Sequence, residues 1–197
     1  MRNKISVSIN RSLLTSAMTE GRNGKSVSRL IRNQWQTKIE EAQRQMISSY
    51  EENSITKEID SGPTASNTSQ TLNGKGNLFS FIGFPEGSNP TEEVKNILRN
   101  KINFIVKPLS NGKFSIQIQA PTKQEIYNVS PIPWNPGRSW VDAIEKGISG
   151  LGSYVYKPSE ISRSGTGIQV KNSVGGRFAN RSYISTILKE FERNISK

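Results

Sequence analysis

The residues of this chain best suited to chemistry are a few carboxylates and a lysine at helical spacing. Asp142 and Glu145 share one face of a predicted helix with Lys146 beside them, and Glu92 and Glu93 stand at the start of another helix. Such a set can hold a divalent cation and cleave a phosphodiester, which outlines a metal-dependent nuclease. Helix caps and surface ion pairs explain the same residues, and we favour that interpretation. No metal site is therefore predicted.

Other catalytic groups are scarce, because the sequence contains no His and no Cys. Imidazole acids and bases, thiol nucleophiles and the usual zinc ligands are thereby excluded. The segment Gly24-Lys25-Ser26 is similar to the end of a phosphate-binding P-loop, but the position that requires the first glycine is Thr19. We expect a protein that is not an enzyme and that uses no cofactor.

Aromatic and basic side chains interleave in the last third of the chain. This pattern suits sites where bases stack and phosphates are neutralised. It equally suits protein interfaces, where Trp, Tyr and Arg contribute most of the binding energy. We favour an interface, and the residues predicted to form it are Trp134, Arg138, Trp140, Tyr156, Arg163 and Arg177.

The charge of the chain is strongly positive, at +11 from 27 basic and 16 acidic residues. Such a charge predicts an anionic neighbour, either nucleic acid or an acidic protein surface. Residues 1–25 are read as a basic N-terminal arm with a short helix, and residues 26–197 as a single α+β domain. No apolar run is long enough to cross a bilayer, so no membrane partner is expected. The basic residues of the arm are Arg2, Lys4, Arg11, Arg22 and Lys25.

Two segments predict a small sheet. The stretch from Asn77 to Phe84 is the densest apolar run, rich in Phe, and is interpreted as the inner strand. Asn111-Gly112 separates two apolar segments, 101–109 and 113–120, and this arrangement predicts a β-hairpin that adds two strands beside the inner one.

Helical periodicity and capping residues complete the predicted fold. A long helix should run from Ser26 or Ser28 to about Asn53, with further helices after Asn89, Thr122 and Ser139 and a last one over 182–194. Segments 154–156 and 168–170 are predicted short strands. Polar loops at 60–76 and 161–167 should order against a partner or stay mobile. The fold class is therefore α+β, with a long N-terminal helix, a small mainly antiparallel sheet with a β-hairpin, a C-terminal helix and long polar loops.

Several segments together resemble virion proteins of tailed bacteriophages, of the neck or tail-completion type that lies at the head–tail junction. The segments that carry the resemblance are Gly76 to Phe84 followed by Asn89-Pro90, Gly137-Arg138-Ser139-Trp140, Gly147 to Gly152, Ser164 to Gly167, and Tyr183-Ile184-Ser185.

The resemblance implies a non-enzymatic structural protein that forms an oligomeric ring. Such a ring joins the phage portal or connector to the tail terminator or tube around the DNA channel, and packaged DNA is contacted without sequence specificity. The expected location is the virion, after assembly in the host cytoplasm. The alternative, which the charge alone supports, is a basic protein that binds nucleic acid without sequence specificity.

Overall fold

A computed structural model of the chain describes residues 4–8, 24–72, 76–108, 114–146, 153–155, 168–170 and 181–196. The chain forms two compact units. The first contains residues 1–47, 98–122 and 188–197, and the second contains residues 48–97 and 123–187. The single domain expected for residues 26–197 stays a prediction.

The described elements are helices and antiparallel strands, which confirms the predicted α+β class. The helices are α1 (Gly24–Glu52), α2 (Ser54–Asp60), α3 (Leu78–Ile82), α4 (Pro90–Asn100), α5 (Lys123–Asn128), α6 (Trp140–Lys146) and α7 (Ile184–Ser196), with a 3₁₀ turn at Gly62–Thr64. The strands are β1 (Lys4–Ser8), β2 (Asn103–Pro108), β3 (Phe114–Gln119), β4 (Pro131–Ile132), β5 (Asn135–Ser139), β6 (Ser153–Val155) and β7 (Ile168–Val170). The long N-terminal helix and the C-terminal helix are both present.

A three-stranded sheet in the first unit has the order β1-β3-β2. Strands β2 and β3 pair in antiparallel register from Asn103 with Gln119 to Pro108 with Phe114, which confirms the predicted hairpin. Phe114, Ile116 and Ile118 are buried and alternate with half-buried polar residues, as one covered face of a sheet requires. The turn of the hairpin, 109–113, lies outside the described residues.

The third strand of this sheet is β1, from the segment interpreted as a basic arm. It pairs antiparallel with β3, Ile5 opposite Ile118 and Val7 opposite Ile116. The sequence analysis assigned no strand to this segment, because five residues at one edge give too short a pattern to recognise. The short helix predicted within the arm falls on residues that the structure does not describe.

The segment interpreted as the inner strand is a short helix, α3, and that prediction is wrong. The Asn77 side chain accepts a hydrogen bond from the backbone N–H of Ser80 at 2.9 Å, which caps the helix. At the other end, Gly83 is left-handed at φ +83° and the N–H of Phe84 donates to the carbonyl of Phe79 at 3.1 Å. A cap and a C-terminal glycine motif therefore outweigh the β-propensity of the phenylalanines. The predicted pairing of the hairpin with this segment is likewise replaced by pairing with β1.

Replacement of the capping residue should measure this local preference. Asn77→Ala is expected to lower the free energy of unfolding by about 1 kcal/mol or more, because the N–H of Ser80 loses its acceptor and the carbonyl of Pro63 loses the Asn77 amide donor at 2.8 Å. Urea denaturation followed by circular dichroism gives the value. The control Ser80→Ala lies in the same helix and should change stability by less than about 0.5 kcal/mol. Equal effects of the two substitutions would contradict the capping role.

The polar loop after α2 is organised by the carboxylate of Glu58, which is only 1% exposed. Its oxygens accept hydrogen bonds from the Asn67 side chain at 2.9 Å and from the backbone N–H groups of Ser69 and Leu78, both at 2.8 Å. Leu72, at the end of the described part of the loop, is buried. The loop was predicted to be mobile or to order only on a partner, but residues 61–72 are packed against the protein itself. Residues 73–75 lie outside the described ranges.

The hydrogen bonds to Glu58 predict slow amide exchange in the loop. The amides of Ser69 and Leu78 should be protected in the wild-type protein, and Glu58→Gln should accelerate their exchange about tenfold or more, since a hydrogen bond to a charged group is worth about 1.5–3 kcal/mol. Hydrogen–deuterium exchange read by NMR resolves both amides. Glu52→Gln, which neutralises an exposed carboxylate, is the matched control. Unprotected amides in the wild-type protein would refute the ordered loop.

Candidate functional site

Trp140, expected to anchor a partner interface, is a core residue of the second unit. Its side chain is 1% exposed. The indole meets the Phe84 ring edge-on, with ring centres 6.0 Å apart at 87°, and lies 6.3 Å from the ring of Tyr183. Apolar burial explains this position, because a Trp at the start of a short amphipathic helix faces inward with Val141 and Ile144. The interpretation of Trp140 as a partner contact is therefore replaced by a core role.

Trp134 and Arg138 belong to the β4–β5 hairpin at the surface of the same unit. The Trp134 indole N–H donates to the carbonyl of Ile82 at 2.7 Å, which attaches the turn of the hairpin to the end of α3. Arg138 is exposed on β5. Of the residues that the sequence predicts to form an interface, Trp134 and Arg138 therefore lie on one hairpin.

The structure does not describe the side chains of the other predicted site residues. Lys4 lies in β1 and Lys25 in the first turn of α1, where only the backbone is described. The residues that lie outside the described ranges are Tyr156, Arg163, Arg177, Arg2, Arg11 and Arg22.

Hydroxyl groups fix the end of β5 to the start of α6. The Ser139 hydroxyl accepts from the backbone N–H of Asp142 at 3.1 Å, which is the cap that the sequence predicted. It also lies 2.6 Å from the hydroxyl of Ser130, whose carbonyl accepts from the N–H of Trp140 at 2.8 Å. Arg138 is thus the residue immediately before a junction that several hydrogen bonds hold together.

A cleft of about 650 Å³ opens beside Arg138. Its walls come from three elements, α5, β5 and α6, and carry amide, hydroxyl and charged groups. Lys146 forms an ion pair with Asp142 across one helical turn at 2.7 Å, and the lysine remains 73% exposed. The lining residues are Gln124, Tyr127, Asn128, Pro136, Gly137, Arg138, Ser139, Asp142, Ala143 and Lys146. The cleft therefore presents polar groups on a frame of short helices and one strand.

Beneath this cleft, Glu145 joins α6 to the start of α7. Its carboxylate accepts from the backbone N–H of Ser185 at 2.6 Å and from the Ser185 hydroxyl at 2.8 Å. The Tyr127 hydroxyl donates to the same carboxylate at 2.9 Å, and the Lys123 ammonium lies 3.5 Å away. Glu145, one of the candidate nuclease carboxylates, thus accepts hydrogen bonds at the N-terminus of α7, where a negative charge is favourable.

The electrostatics of this cluster follow from burial and hydrogen bonding. Desolvation acts to raise the pKa of Glu145, but the bonds from Ser185 and Tyr127 and the charge of Lys123 outweigh it and hold the pKa below its ordinary value. For Tyr127, burial and then the bond to Glu145 raise the pKa above its ordinary value. Glu145 is thus ionised and Tyr127 neutral at pH 7, as acceptor and donor must be.

The candidate nuclease residues are not arranged as a metal centre. Within the described ranges, no group of three or more His, Cys, Asp or Glu side chains is placed to hold a metal ion. Asp142 bonds to Lys146, and Glu145 bonds to Ser185. The cap and the surface pair are recognisable in the sequence, but the bonds of Tyr127 and Ser185 to Glu145 are not. Partners 18 and 40 residues away leave no local pattern that could reveal them.

The comparisons with known proteins add no relationship. No protein-family model, curated protein or solved structure matches the chain. Among the helices in the described ranges, none combines the length and apolar character needed to span a membrane.

The pKa of Glu145 predicts how the stability of the protein depends on pH. Because its folded-state pKa is depressed, its contribution is fully present above the ordinary pKa and is lost as the pH falls through the folded value. Glu145→Gln should lower the free energy of unfolding by about 1–3 kcal/mol at pH 7. Between roughly pH 5 and pH 3, the variant should lose less stability than the wild type.

Urea denaturation at a series of pH values measures both effects. Glu86→Gln neutralises an exposed loop carboxylate and serves as the control, which should follow the wild-type curve. If the free energies of unfolding of the wild type and of Glu145→Gln follow parallel curves against pH, the pKa of Glu145 is not depressed in the folded protein.

Proposed function

We propose that the chain is a non-enzymatic structural protein of a tailed-phage virion, which forms an oligomeric ring at the head–tail junction. The observation that carries the proposal is the use of the carboxylates at the candidate site. Glu145 and the Oδ2 atom of Asp142 accept intramolecular hydrogen bonds, and the cleft is lined by the exposed side chains of Arg138 and of Lys146, the latter paired with Asp142. Such a surface suits contact with a neighbouring protein better than it suits phosphodiester chemistry.

The segment resembling neck proteins supports the same proposal. Gly137-Arg138-Ser139-Trp140 forms the junction between β5 and α6, where Trp140 supplies the buried support and Arg138 the exposed group. A rigid element with an exposed arginine is a common anchor of protein interfaces. The motif therefore contains both a buried residue that supports the fold, Trp140, and an exposed residue that can contact a partner, Arg138.

The charges along α1 also favour contacts with neighbours. The helix has no acidic residue in its first turn and no basic residue in its last turn. Arg29 and Arg32 lie near its start and Glu51 and Glu52 at its end, an order opposite to the one that the helix dipole favours. Glu51 forms an ion pair with Lys95 at 2.5 Å, whereas Arg29 and Arg32 form no salt bridge within the described residues. These two arginines suit complementary pairing between copies, which head-to-tail rings use.

The proposal predicts that the chain is a component of the particle and that Arg138 is needed to join its parts. Mass spectrometry of purified tailed particles should detect the chain. With Arg138→Glu, electron microscopy should show unjoined heads and tails, because a reversed charge repels the partner surface. Lys189→Glu, an exposed charge reversal on α7, should leave the particles joined.

Circular dichroism of both variants excludes unfolding as the cause. Particles that lack the chain, or that join normally with Arg138→Glu, would contradict the proposal.

The second candidate, a nucleic-acid-binding protein without sequence specificity, rests on the net charge of +11. This candidate would be favoured if the chain still binds duplex DNA with useful affinity at raised salt. The logarithm of the binding constant should then fall steeply and linearly with the logarithm of the salt concentration. Weak binding that is lost at modest salt would indicate general electrostatic attraction and would argue against this candidate.

A further inference from the structure

A second cleft, of about 360 Å³, lies between α1 and the edge strand β2 in the first unit. It is distinct in sequence and position from the cleft beside Arg138, which belongs to the other unit. Its lining consists of Ser28, Arg29, Arg32, Ile105 and Val106.

The charge of this cleft is positive and uncompensated. Arg29 and Arg32 are exposed and lie three residues apart, which places both on one side of the helix. Within the described part of the chain, neither forms a salt bridge, and no acidic residue lines the cleft. The Arg32 guanidinium lies 5.9 Å from the centre of the Phe104 ring, a cation–π contact that holds it over β2. Two exposed guanidinium groups on one side of the helix, one of them held over β2, favour a carboxylate or phosphate ligand.

The apolar part of the cleft distinguishes between these two anions. Ile105 is 46% exposed, and Leu30, the other exposed large apolar side chain of the described residues, lies outside the cleft. A nucleic-acid backbone offers phosphate and sugar but no aliphatic group to cover Ile105. A polypeptide can supply carboxylates and aliphatic side chains together, so it matches both halves of the surface.

We propose that this cleft docks an acidic segment of a partner protein. The carboxylates of that segment would bind Arg29 and Arg32, and an aliphatic side chain would pack on Ile105. The inference deepens the proposed function, on which it rests for the identity of the partner as a component of the virion. The chemistry of recognition itself is a property of the purified chain.

The test is fluorescence anisotropy on the full chain with three labelled probes. The probes are a short peptide rich in Glu and Leu, the same peptide with Ser in place of Leu, and duplex DNA. The Glu/Leu peptide should bind about tenfold more tightly than the Glu/Ser peptide, because burial of an aliphatic side chain is worth about 1.5 kcal/mol or more. Ile105→Ser should abolish this preference while it leaves binding of the Glu/Ser peptide unchanged.

Charge reversal tests the other half of the surface. Arg29→Glu with Arg32→Glu should weaken Glu/Leu peptide binding at least about tenfold. Lys189→Glu with Arg193→Glu makes the same change in net charge on exposed positions of α7 and should weaken it much less. Thermal unfolding by circular dichroism shows that each variant is folded.

Three results would overturn the proposal: equal binding of the two peptides, equal effects of the two double variants, or tighter binding of DNA that is insensitive to Ile105→Ser. These results come from the purified chain. The proposed function is tested separately, by the composition of the particle.

Discussion

A buried carboxylate must have all its bonding capacity satisfied inside the protein, and the fold of the second unit depends on how Glu58 meets this constraint. Its acceptors bind one side-chain amide and two backbone N–H groups from the loop and from the start of α3. The loop contains few apolar residues, so hydrophobic burial alone could not hold it. Glu58 therefore determines where the chain re-enters the core and, through Leu78, where α3 begins.

The same principle recurs at Glu145, which connects α5, α6 and α7 through hydroxyl and backbone donors. Tyr183, buried beside Trp140, adds a hydroxyl contact with Thr56 at 2.6 Å. Only 32% of the residues are hydrophobic, and polar connections of this kind supplement the limited core. Glu145 is thus used by the fold, as is the Oδ2 atom of Asp142, and the exposed side chains that line the cleft include the basic groups of Arg138 and Lys146.

Local signals in the sequence were read correctly where the structure is determined locally. Ser139 caps α6 and β2 pairs with β3 as a hairpin, because a cap or the pairing of neighbouring strands depends on residues close in sequence. The stretch 77–84 was misassigned because its phenylalanines suggested a strand, although Asn77 and Gly83 already carried the opposite signal. The burial of Trp140 and the bonds of Glu58 and Glu145 could not be predicted, since their partners are distant in sequence.

We propose that the surface around Arg138 serves assembly into a virion. Cryo-electron microscopy of the tailed particle tests it most directly, because one map gives location, copy number and neighbours. We expect density for a closed ring of this chain at the head–tail junction, with the β5–α6 junction around Arg138 in contact with a neighbouring subunit. A junction built entirely from other proteins would contradict it.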